Sequence, residues 1–314
     1  MSLAWCIEMS VPATEEASES YAGIDRWPSE RILSAIVAAQ TQAIAVIADA
    51  VPALAVAGEA VADRMRRGGR LIYAGAGSSG LLAQVDALEL PCTYGIEAEQ
   101  IPVMLAGGND ALLVIPSEAE DDLDDAAQSV EQLNVRPLDS LVAVSASGRT
   151  PYTLAAMKAA KARGALTIGM ACNANTPMLE DADHAVLLAT PAEVIAGSTR
   201  MNAGTAQKCA LNMLSTLIGI RLGHVFDGMM VNVRPENSKL KRRAAQMVAR
   251  ACGFSDEAKA ADLLDRAGNE VKTAITLYRL PGGTADDARV ILAAHGGDLR
   301  SALEAMAASQ TSTR

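Results

Sequence analysis

Five short apolar runs, LIYAGAG, IPVMLAGG, SLVAVSASG, ALTIGMACN and HAVLLATP, fall between residues 71 and 191, with segments of helical character between them. Runs that are apolar at successive positions suit strands buried on both faces. Strands that alternate with helices form a parallel sheet covered by helices on each side. The chain is therefore expected to fold as an α/β three-layer sandwich, a Rossmann-like parallel sheet whose ligands bind at the carboxyl ends of the strands. A length of 314 residues, 50% of them hydrophobic, is ample for one such core with small helical appendages.

Upstream of the first run, residues 28–67 read as one or two long amphipathic helices. Residues 201–223 are rich in Met and Leu and lack Pro, which suits a buried helix or an oligomer contact. Beyond Cys252 a short internal repeat sets LLDRAGNEVKTAI against ILAAHGGDLRSAL. Each copy reads as a helix, a Gly-containing turn and a second helix. Together with the long N-terminal helices, the apolar CALNMLSTLIGI segment offers more hydrophobic surface than one sheet face covers, so a homodimer is expected.

A net charge of −10, with basic residues grouped only in short runs such as KLKRR, argues against nucleic acid as a partner. The cysteines Cys6, Cys92, Cys172, Cys209 and Cys252 are scattered, with no C-x-x-C pair and no His at ligand spacing. Neither a disulfide framework nor a metal site is expected. The N-terminus lacks a basic region followed by an apolar core, and the Ala-rich stretch at 36–62 is interrupted by Gln40, Gln42, Asp49 and Glu59. No membrane association and a soluble, cytoplasmic protein are expected. His184, His224 and His295 read as structural, and Met213, Met229 and Met230 as core or interface filler.

The first run continues into Gly75, Gly77 and Gly80, spaced like a dinucleotide-binding fingerprint. The acidic residue that should hold a ribose, however, is misplaced: Glu97 and Glu99 precede the second run, and Asp110 lies too far on. What marks this loop is Ser78 and Ser79, two hydroxyls at the start of a helix beside free backbone N–H groups, a setting for a single phosphate. The third run ends similarly, with Ser145, Ser147 and Thr150 clustered before Pro151, a residue favoured in a helix's first turn.

Several stretches, in order along nearly the whole chain, resemble the N-acetylmuramic acid 6-phosphate etherases, members of the sugar isomerase (SIS) fold. They are GGRLIYAGAGSSG, ELPCTYG, LAGG, SEAED, SASGRTPY, AGSTRMNAGTAQKCALNMLST, NSKL and AAHGGDLRSALE. The resemblance implies an N-terminal helical segment at 1–54, a SIS phosphosugar-binding domain at 55–235 and a C-terminal helical module at 236–314. It also implies cleavage of a lactyl ether at C3 of an amino-sugar 6-phosphate. The open-chain sugar has an aldehyde that makes its C2 proton acidic, so a base can remove that proton. An acid then protonates the departing ether oxygen, and water later adds to the unsaturated aldehyde. Two carboxyls with separated pKa values can do this without metal or organic cofactor.

Glu89, in DALELPCTYG, and Glu120, in SEAEDD, are the sequence candidates. By resemblance Glu89 is the acid on the leaving lactate and Glu120 the C2 base, with Ser78, Ser79, Ser145, Ser147 and Thr150 on the phosphate. Gly77, Arg200 and Lys239 are weaker substrate candidates, and Lys208 flanks the same helix start as Arg200. Two positions depart from the family pattern: Leu81 stands where Arg is usual and Ser18 where Asn is usual, which removes two polar recognition groups. An aldose–ketose isomerase would use the same proton abstraction without a leaving-group acid, and a non-catalytic phosphosugar sensor would need neither carboxyl. Retention of both Glu89 and Glu120 favours the lyase.

Overall fold

The computed structural model describes residues 12–311 apart from 115, 234 and 236. Cys6, and the first residues of the expected N-terminal segment, lie outside them. The expected N-terminal helices are α1 (Ser29–Ala45) and α2 (Ile47–Arg66), which meet at Val46. By length and apolarity the run Ser29–Arg66 is able to cross a membrane. It carries Asp49, Glu59, Asp63 and Arg64, and it packs Ala43, Ala57, Val61 and Ala62 at 0% exposure, with 33% of its most apolar window buried.

The five apolar runs all become strands. They are β1 (Leu71–Gly75), β2 (Val103–Leu105), β3 (Ser140–Ser145), β4 (Leu166–Ala171) and β5 (His184–Leu187), joined by α3 (Gly77–Tyr94), α4 (Leu123–Gln132), α5 (Pro151–Ala162) and the short α6 (Pro177–Asp181). After β5 the chain enters α7 (Asn202–Arg221), and then α8 (Ser238–Cys252), α9 (Glu257–Arg266), α10 (Val271–Tyr278), α11 (Ala285–Ala294) and α12 (Leu299–Thr311). All strand pairs are parallel, in the order β2-β1-β3-β4-β5. The chain leaves β1 for β2 on one side and then returns to β3 on the other. Such a reversal opens a crevice at the carboxyl ends of the two strands that flank it.

Packing forms two compact units. The first comprises the described residues up to Ala57, Leu71–Asp86 and Pro102–Leu214; the second comprises Gly58–Arg70, Ala87–Ile101 and the described residues from Ser215 onward. In the first, Ile72, Ala74, Leu141 and Ala143 pack one sheet face against Tyr152, Ala156 and Met157 of α5. Tyr73 points to the other face, where its hydroxyl donates to Asp86 at 2.7 Å, and Asn212 of α7 donates to the same carboxylate at 2.6 Å.

In the second unit the sequence repeat is two helix pairs, α9–α10 and α11–α12. Their turns hold Gly268, Asn269, Gly296 and Gly297 at positive φ. Val248, Ala260, Leu264, Ala274, Ile275 and Ala302 form their shared core. His224 has a structural setting here: burial, reinforced by the charge of Lys272, holds its pKa near 4, so the ring stays neutral.

Candidate active site

β1 passes through Ala76 directly into α3, so Ser78 and Ser79 stand in the helix's first turn. A Cβ on Gly75 would lie 2.7 Å from Gly80 Cα, and one on Gly80 would lie 2.7 Å from the Gly75 carbonyl oxygen. Both glycines are therefore needed for strand and helix to approach this closely. Gly77 has φ +53°, and a Cβ there would lie 2.6 Å from Oε1 of Glu120. The fingerprint spacing thus serves strand–helix packing and the seating of a carboxylate, which explains how it occurs without a ribose-binding acid.

Glu120 lies in a one-turn 3-10 helix, Ser117–Asp121, that the β2–β3 connection lays against the start of α3. It is half-buried. Burial raises its carboxyl above the ordinary value of 4.5, and the charge of Asp121 adds to the shift.

The strand register pairs Gly75 with Val144, so the loop after β3 runs beside the loop after β1. There the hydroxyls gather: Ser145 Oγ lies 2.8 Å from Thr150 Oγ1 and 3.2 Å from Ser147 Oγ. Gly148 N donates to Ser145 Oγ and Arg149 N to Ser147 Oγ, each at 3.1 Å. Thr150 is the N-cap of α5, but it does not cap; its hydroxyl turns inward to Ser145 instead. Gly148, at φ +66°, leaves only 2.5 Å between an added Cβ and Thr176 Oγ1. The first-turn N–H groups of α3 and α5 and a cluster of hydroxyls thus flank the β1/β3 crevice, the electrostatic setting of an anion site.

Three further residues of this unit brace the rim, and the sequence reading did not single them out. Asn173, just past β4, donates through Nδ2 to Thr14 Oγ1 at 2.9 Å and to the Ala146 carbonyl at 3.1 Å, tying the N-terminal turn to the β3 loop. Glu193 is 1% exposed, and its carboxylate accepts from Asn202 N at 2.8 Å and Ala203 N at 3.0 Å, capping α7. Gln207, one turn further along α7, accepts from Ser79 Oγ at 2.9 Å. The signal that could have found Gln207 is its place inside the long AGSTRMNAGTAQK motif.

The structure therefore brings together Ser145, Ser147 and Thr150 in one cluster, Gly77 with Glu120, and Ser79 with Gln207. Glu89 is exposed on the part of α3 that belongs to the second unit. Arg200 and Lys208 are exposed around the start of α7, and Lys239 is exposed in the first turn of α8. Leu81 is half-buried on α3, and Ser18 caps its own 3-10 turn by accepting from Ser20 N at 3.3 Å.

Residues 29–172 match the family model of the SIS domain. The N-acetylmuramic acid 6-phosphate etherase of Streptomyces avermitilis is 42% identical over 298 residues, which cover 95% of this chain and 95% of that relative. The corresponding etherase of Rubrobacter xylanophilus is 41% identical over 290 residues, covering 92% of this chain and 95% of the relative. Among solved structures, a phosphoheptose isomerase from Francisella tularensis is 21% identical with a TM-score of 0.48, over 62% of this chain and 100% of that one. Matched along nearly its whole length and carrying a SIS domain, this chain belongs to the N-acetylmuramic acid 6-phosphate etherase family.

Proposed function

We propose that this enzyme cleaves the D-lactyl ether of N-acetylmuramic acid 6-phosphate to give N-acetylglucosamine 6-phosphate and D-lactate. The observation that carries the reading is a half-buried carboxylate, Glu120, seated on Gly77 beside a rim of hydroxyls and helix N-termini, in a chain that matches the etherases over 95% of its length. Ser78, Ser79, Ser145, Ser147 and Thr150 hold the 6-phosphate. Glu120 takes the C2 proton of the open-chain aldehyde; its raised pKa makes it a stronger base than an ordinary carboxylate. Electrons from the C2–H bond are held first as the enolate of the aldehyde, and they then form the C2–C3 double bond as the C3–O bond breaks. Glu89 gives its proton to the departing lactate oxygen, and water then adds at C3. Every group in this scheme is a carboxyl or a water, so the chemistry calls for no cofactor. All the named residues lie in the SIS domain proposed for residues 55–235, where the exposed cation of Arg200 is a candidate for the sugar.

The position of Glu89 supports a homodimer. From Gly77 to Glu89 α3 rises about 18 Å, longer than a hexose phosphate, so a phosphate at the helix start does not place C3 beside the same chain's Glu89. Val85 and Leu88 share its helix face and are 49% and 66% exposed. Pairing this stripe antiparallel with that of a second copy buries both leucines and carries the copy's Glu89 toward the first turn of α3. Leu33 and Val37 of α1, 63% and 66% exposed, offer further apolar area for such a contact. We place the enzyme in the cytoplasm. The direct test is incubation with N-acetylmuramic acid 6-phosphate, with D-lactate as the readout: stoichiometric release supports the reading. Intact ether, with conversion instead to a ketose phosphate, would put an isomerase in its place.

A further inference from the structure

The proposed phosphate site contains one contact that is turned the wrong way for its task. Ser79 is 9% exposed, and its hydroxyl donates to Oε1 of Gln207 at 2.9 Å, which uses the only proton it has for an anion. Gln207 is 0% exposed, and its Nε2 is buried with no partner among the described residues. A buried N–H without a partner is rarer and costlier than a carbonyl in the same state. Its helix is not free to move away, because Glu193 holds the N–H groups of Asn202 and Ala203 and Thr205 is bonded to Gln40 of α1.

Half a turn of the amide about its last torsion frees the Ser79 proton and exchanges an unpaired N–H for an unpaired carbonyl, the less costly of the two to bury. Nε2 then donates to Ser79 Oγ, and the Ser79 proton is released toward the crevice. We propose that Gln207 is a positioning residue of the phosphate site: on anion binding its amide turns to donate to Ser79, so that Ser79 donates to the phosphate. The anion strengthens the chain of two hydrogen bonds, because a donor that is itself hydrogen-bonded at its oxygen is more polarised. This inference rests on the reading of the β1/β3 rim as a phosphate site.

The test is calorimetric binding of N-acetylglucosamine 6-phosphate to wild type, Ser79→Ala, Ser147→Ala, Gln207→Met, Gln207→Glu and the Ser79→Ala/Gln207→Met double variant. The relay predicts a loss of about tenfold in affinity for Gln207→Met and no additional loss when that change is made on top of Ser79→Ala. Gln207→Glu offers only an acceptor when ionised. Its affinity relative to wild type at the same pH should be lowest at high pH and recover as the buried carboxyl protonates and regains a proton to donate. That recovery carries the test even if the Met variant does not fold. Wild-type affinity in Gln207→Met, or losses that multiply in the double variant, would overturn the relay while leaving the phosphate site intact. Unchanged binding in both Ser79→Ala and Ser147→Ala would overturn the site itself and the relay with it.

Discussion

Glu120 and Glu89 sit in opposite surroundings. The first is tucked against Gly77 at the start of α3, partly stripped of water and pushed up in pKa. The second stands exposed on a helix face next to uncovered Val85 and Leu88. On the proposed assignment, a protomer builds and tunes one half of the acid–base pair by itself. On the same proposal, the other half gains a poorly solvated setting when a second copy covers that apolar stripe. The two carboxyls are thus separated by packing rather than by chemistry, and each predicted effect below pulls on one side of that contrast.

The largest effect belongs to Glu120→Gln, which removes the base. Lactate release should fall by about 10² to 10⁴ with substrate affinity little changed, because the hydroxyl rim remains. A loss below tenfold, measured as kcat for lactate release, would move the base elsewhere. Next comes subunit mixing: Glu89→Gln and Glu120→Gln protomers, each inactive alone, should recover about one quarter of wild-type activity when randomly paired, since half the dimers hold one intact shared site. No recovery in a verified mixed dimer would return Glu89 to its own chain's site.

Ser147→Ala should act mainly on KM, raising it about tenfold through the lost phosphate contact, with kcat nearly kept. The smallest effects concern pH. A base with a raised pKa moves the acid limb of kcat/KM above the ordinary 4.5 of a glutamate. The same shift makes the folded chain bind the Glu120 proton more tightly than the unfolded chain. Its contribution to stability is therefore full below the unfolded pKa and lost as pH rises through the raised folded value. Glu120→Gln should accordingly melt slightly higher than wild type at neutral pH, and the difference should close as pH falls below that window.

The sheet was legible because its signal is local. Each strand is a continuous apolar run, and all five were placed from the residues alone. The hydroxyl cluster at Ser145, Ser147 and Thr150 was legible for the same reason, being six residues of one loop. Pairings across the fold were not. Nothing in the spacing of Ser79 and Gln207 announces their 2.9 Å contact, because it depends on where α7 returns over the sheet, 128 residues later. The seat of Glu120 on Gly77 was equally hidden: Glu120 stands among acidic neighbours that elsewhere mark a solvated surface, and only the fold turns it inward. The glycine fingerprint matches that of a dinucleotide site, although the sequence already argued against one, because close strand–helix packing and pyrophosphate approach require the same missing Cβ.

The most direct test of the account is the fate of the C2 hydrogen. With N-acetylmuramic acid 6-phosphate in deuterated water, Glu89→Gln should continue to exchange the C2 proton for deuterium while lactate release is strongly slowed, and Glu120→Gln should do neither. Persistent exchange in Glu120→Gln, or equal loss of exchange in both variants, would contradict the assignment of one carboxyl to the proton and the other to the leaving group.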